Sequence, residues 1–82
     1  MGPRDIVREL RRKPFRPFRI TITEGSSNEI KHPELCLVTR TSVYIGLDPT
    51  DDDLLAERSV LIDVGHVVKL DPIPTPAKGK KP

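Results

Sequence analysis

The sequence predicts a mainly β domain (α+β): a short N-terminal helix followed by a five-stranded, strongly bent antiparallel sheet or small barrel. Three observations carry that expectation. Apolar and polar residues alternate with a period of two over Phe18 to Ile22 and again over Val43 to Leu47, as strands with one buried face require. Ile6, Val7 and Leu10 fall within one helical turn of each other, an apolar stripe backed by Arg8, Glu9, Arg11 and Arg12. The extended runs that follow are short and separated by turn residues, which fits a small rolled sheet rather than a layered α/β domain.

The helix is expected from Arg4 and has to stop by Arg12 or Lys13, because Pro14 cannot continue it and biases Lys13 away from helical dihedrals. About ten residues are marginal for a helix alone in water, so it must pack on something. The repeat Pro14-Phe15-Arg16, Pro17-Phe18-Arg19 makes a stiff, extended approach to the first strand. Phe18, Ile20 and Ile22 then supply that strand's apolar face, and Glu24 to Asn28 form a polar turn in which Gly25 can take positive φ. A second strand is expected from Glu29, interrupted by Pro33 and resuming from Leu35 to Val38. Val43, Ile45 and Leu47 form the third. Residues 48–59 read as the longest connection, an exposed acidic loop carrying Asp51, Asp52 and Asp53. Ser59 to Val64 gives the fourth strand, Gly65 and His66 break it, and Val67 to Leu70 gives the fifth.

Residues 4–71 are therefore expected to form one domain, with 72–82 a solvated tail rich in Pro and Lys. At this size a single core supplies no more than roughly 3 to 5 kcal/mol, which makes oligomerisation a reasonable expectation. One Cys excludes an internal disulfide, and no apolar run approaches the ~20 residues of a membrane-spanning helix. The first residues do not read as a secretory signal, so the cytoplasm is the expected compartment.

The formal charge of +2 conceals a separation. Residues 1–19 hold seven basic groups against two acidic ones, residues 20–71 hold four against ten, and three lysines follow. One molecule thus has a basic pole and an acidic pole, which could dock on a copy of itself or steer toward a charged partner. The plainer reading is a basic helix that simply faces solvent.

Arg16-Pro17-Phe18-Arg19-Ile20-Thr21-Ile22, the Glu24-Gly25 turn, His32-Pro33-Glu34 and the closing Ile62 to Leu70 resemble a set of short, uncharacterised bacterial proteins that share an Arg-Pro-Phe start, an acidic-Gly turn and a His-Pro-Glu step. The resemblance spans residues 5–71 and implies no activity. The order of helix, bent strands and a final strand pair broken by a one-turn step is also similar to Sm-like and SH3-like barrels. No RNA-binding motif of the Sm-like proteins is recognisable.

His32, Glu34, Cys36, Asp63 and His66 include zinc-binding residue types. On a strand, however, positions four apart stand about 13 Å from each other, too far to share an ion unless the chain bends at Pro33. The expectation is ordinary hydrogen bonding for the histidines and a small buried hydrophobe in Cys36. Asp48, Thr50 and Asp52 alternate as calcium ligands do, but an EF-hand loop wants Gly where Asp53 stands and Glu where Ser59 stands. No Gly-rich phosphate loop or nucleophile–base arrangement is evident. No enzyme activity, cofactor, metal or small-molecule substrate is expected.

What remains is a non-catalytic small β-barrel module for self-association or protein docking, with the helix and its arginines as one contact surface and an edge strand as another. The alternative is an RNA- or DNA-binding barrel. In either case the candidate residues are Arg8, Arg11, Arg12, Lys13, Phe15 and Arg16, with Phe15 the one aromatic free to stack, since Phe18 belongs to the apolar alternation.

Overall fold

The computed structural model describes residues 1–73, which form one short helix and two three-stranded antiparallel sheets. Helix α1 (Pro3–Leu10) leads into β1 (Phe18–Ile22) and β2 (Ser27–Ile30). A 3₁₀ turn (Pro33–Leu35) connects to β3 (Cys36–Val38), β4 (Ser42–Pro49) and β5 (Ala56–Asp63), and a second 3₁₀ turn (Val64–His66) to β6 (Val67–Pro72). One sheet has the order β2-β1-β6 and the other β3-β4-β5.

The expected single five-stranded sheet is thus replaced by two sheets that do not close into a barrel. The difference lies at Pro33. Proline lacks the N–H that a ladder needs, and the run expected as one interrupted strand instead becomes β2 in one sheet and β3 in the other. The chain returns at Gly65 and His66, where the Asp63 carboxylate accepts a hydrogen bond from the Gly65 N–H at 2.7 Å and caps the second 3₁₀ turn. Each crossing between sheets is a single tight turn.

Helix α1 ends at Leu10, earlier than Pro14 alone dictates, because Arg11 adopts φ −92°, ψ 0°. At its other end Pro3 occupies the first turn, and the Asp5 carboxylate accepts from the Gly2 N–H at 3.1 Å. Eight residues do not hold a helix in water. What holds this one is Ile6, fully buried, with α1 packed on β3.

The core consists of Ile6, Phe18, Ile20, Ile30, Val43, Ile45, Ile62, Val64 and Val67. Both sheets and the helix contribute, so each inward face covers the others. In β1 the alternation is as expected, with Phe18 and Ile20 buried and Ile22 half-buried against the core. The expected acidic loop is shorter than residues 48–59. Strand β4 runs to Pro49 and β5 begins at Ala56, leaving a hairpin loop of residues 50–55. Thr50 closes it, donating from Oγ1 to the Leu55 carbonyl at 2.8 Å and accepting from the Asp52 N–H at 3.1 Å. Strand β6 extends to Pro72, which pairs with Phe18, and the Ile73 N–H donates to the Pro17 carbonyl. The rest of the expected tail lies outside the described residues.

Gly46 sits where β4 runs past the first 3₁₀ turn. A Cβ there would meet the Ala56 Cβ at 3.0 Å and the Leu35 Cβ at 3.1 Å. Strand propensity alone predicts that Gly46→Val stabilises a strand. We expect the opposite: overpacking costs about 1 to 3 kcal/mol, a large share of the stability available at this size. Urea unfolding followed by circular dichroism should show a lower midpoint; an unchanged or raised midpoint would contradict the close packing.

Candidate docking surfaces

The basic segment divides into three parts. Arg4, Val7 and Arg8 of α1 line one groove with Arg11 and Arg12, which follow the helix end at Leu10. Lys13 and Arg16 are exposed but do not line that groove. Phe15 turns inward: it is half-buried against the core, its ring edge-on to Phe18 with centroids 6.2 Å apart. The expectation of a free stacking aromatic is therefore corrected. An exposed Phe15 would leave apolar area in water, and the neighbouring Phe18 ring offers it a partner.

Several of these cations are already paired. Arg8 reaches Asp5 at 3.1 Å, Arg12 reaches Glu9 at 3.9 Å, and Arg19 and Lys31 converge on Glu29 at 3.1 and 3.4 Å. The Asp5 carboxyl is held below its ordinary value by the Gly2 N–H and by Arg8, and that of Glu29 by the hydrogen bonds from Arg19 and Lys31. Such exposed pairs contribute little to stability but do reduce the charge offered to a partner. Arg4, Arg11, Lys13, Arg16 and Arg40 form no ion pair among the described residues.

Arg40 is the residue the sequence reading leaves out. It stands alone in a polar turn, yet the packing of α1 on β3 places it with Arg4, Val7 and Val38 along one groove. The turn is well tied. Thr39 donates its N–H to the Ser42 carbonyl at 2.8 Å, its Oγ1 accepts from the Ser42 and Thr41 N–H groups, and the Thr41 carbonyl accepts from the Val64 N–H just beyond the Ser42–Asp63 pair of the β4–β5 ladder. Arg40 therefore extends from a fixed tip.

A second surface is apolar. The β3–β4 register sets Leu37 opposite Tyr44, and the β4–β5 register sets Tyr44 opposite Leu61. Their neighbours Val43, Ile45 and Ile62 point to the core, so these three point away from it, at 63%, 44% and 56% exposure. Leu54, 73% exposed, lines the same shallow groove as Leu37 and Tyr44. Acidic groups border this row: Glu34 in the groove, Asp63 one outward position beyond Leu61, and Asp51 to Asp53 leading into Leu54.

The remaining grooves and polar groups have ordinary partners. A groove of about 440 Å³ runs between β2 and the second half of β4, where the two sheets stand open. Its Asp48, at φ 57°, accepts from Arg58 Nε at 2.6 Å, which holds the Asp48 carboxyl below its ordinary value. His32 and His66 are exposed, and His32 stands 3.6 Å from Glu34. Among the described residues no three His, Cys, Asp or Glu side chains gather as metal ligands, no polar or charged side chain is buried, and no helix is long and apolar enough to cross a membrane. Comparison with protein-family models, curated proteins and solved structures gave no match.

Cys36 packs against the core beneath the apolar row, and burial pushes its thiol up from 9.0 to about 11. The folded state favours the protonated thiol, so this preference is complete below the unfolded value and fades as pH rises toward about 11. Only the thiolate attacks an alkylating reagent. At pH 8 the folded chain should react with iodoacetamide about 100-fold more slowly than the urea-unfolded chain; equal rates would mean that Cys36 is not shielded.

Proposed function

We propose that this chain is a non-catalytic docking module that binds a second copy of itself through the outer face of β3-β4-β5. The row Leu37–Tyr44–Leu61 carries the reading: three large apolar side chains stand side by side in solvent on a protein with few apolar residues to spare. A contiguous exposed apolar patch inside a polar border is characteristic of interaction sites, and Tyr is enriched at their centres. The basic N-terminal segment and the acidic middle supply opposite charge within one sequence, which favours a copy over an unrelated partner. The helix, the bent strands and the 3₁₀ step before the final strand suit an opened relative of the Sm-like and SH3-like barrels. The cytoplasm is the compartment this reading assumes.

A second reading keeps the exposed arginines for nucleic acid. Arg4, Arg11 and Arg40 favour it, because unpaired guanidinium groups grouped on one side suit a phosphate backbone. The inward turn of Phe15 removes the stacking aromatic that such a surface would use.

Sedimentation separates the two. Under the first reading the wild-type chain sediments above 9.2 kDa, Leu61→Lys returns it to 9.2 kDa, and added oligonucleotide changes neither. A wild-type chain that is monomeric even at millimolar concentration, yet binds a labelled oligonucleotide with an affinity that falls steeply with salt, would replace the first reading with the second.

A further inference from the structure

We infer that the contact between copies is head to tail: the arginine surface of one copy, Arg4, Arg11 and Arg40 around Val7 and Val38, seats on the acid-bordered row Leu37–Tyr44–Leu61 of the next. The inference rests on the self-association reading and specifies its geometry. Charge decides between the two possible arrangements. A face-to-face dimer would be isologous, pairing the row with itself and bringing Glu34, Asp63 and the Asp51–Asp53 border of one copy near the same acids of the other. Like charges set opposite each other across an interface oppose binding. The arginine surface has the complementary sign and composition: cations with no ion pair among the described residues, beside two half-buried valines.

The two surfaces are also separate. The grooves along Arg4, Val7 and Arg40 share no residue with the groove along Leu37, Tyr44 and Leu54. One copy can therefore engage a neighbour on each side at once. Such heterologous contacts build a ring if the rotation closes and an open chain if it does not.

A mixing experiment tests this geometry, using two variants altered only at exposed side chains and checked for folding by circular dichroism. Leu61→Arg spoils the row and leaves the arginine surface intact. Arg4→Glu/Arg11→Glu/Arg40→Glu does the reverse. For the head-to-tail arrangement, wild type sediments at or above twice 9.2 kDa, each variant alone at 9.2 kDa, and an equal mixture at twice 9.2 kDa, because one good contact forms and cannot propagate. Molar salt should dissociate the mixture, since the attraction is screened. If the arginine variant alone keeps the wild-type mass and the mixture holds no heterodimer, copies pair face to face: this geometry is overturned while self-association stands. Loss of oligonucleotide binding by the arginine variant, with wild-type mass unchanged, likewise overturns it and assigns the arginines to phosphate. A monomeric wild type removes self-association and this geometry together.

Discussion

The packing of Leu35 and Ala56 around Gly46 is the constraint from which the rest of the architecture follows. Strand β4 belongs to one sheet, yet the chain arriving from the other must turn beside it within the three residues Pro33–Leu35. A Cβ at residue 46 would press on Leu35 and Ala56, which would have to give by a few tenths of an ångström. On either side of the turn β2 and β3 lie in different sheets, with Ile30 and Cys36 still packed at one interior. A chain with so few aliphatic residues has no reserve for a second core. The sheets share Ile30, Val43, Ile45 and Ile62, and the helix adds Ile6.

The same economy shapes the exterior. Burying Ile6 fixes the rotation of α1, and the rotation fixes which arginines face out. Docking the helix on β3 brings it to the Thr39–Ser42 turn, whose hydrogen bonds present Arg40 in register with Arg4. Meanwhile the alternation that sends Val43 and Ile45 inward sends Tyr44 outward, between a Leu on each neighbouring strand. Basic and apolar surfaces are therefore both by-products of core geometry, on different parts of the molecule.

How much of this is legible in the sequence depends on whether the determining interaction is local. The period-two runs around Ile20 and Ile45 locate strands correctly because each strand has one face in the core, and Gly65-His66 marks a break because the backbone itself turns there. Pro33 announces an interruption without telling that the chain changes sheets, since that depends on the room beside Gly46. Tyr44 can be read as outward-facing from its own strand. That Leu37 and Leu61 flank it is a matter of register, which no single strand encodes. Arg40 is invisible for the same reason, its relation to α1 being wholly tertiary. Phe15 misleads because its sequence neighbourhood is basic while its spatial neighbour is Phe18. The hairpin loop is overestimated because Glu57 and Arg58 look like loop residues, although their backbone continues the ladder with β4.

Strand β5 has one further consequence. It lies at the rim of its sheet with one side of its backbone unpaired among the described residues, and its central Val60-Leu61-Ile62 has the composition that nucleates amyloid-like stacking. Glu57 and Arg58 precede that segment and Asp63 follows it, charges placed as gatekeepers against fibril growth. Contacts made by side chains alone can separate again, whereas a zippered backbone traps the strands it joins.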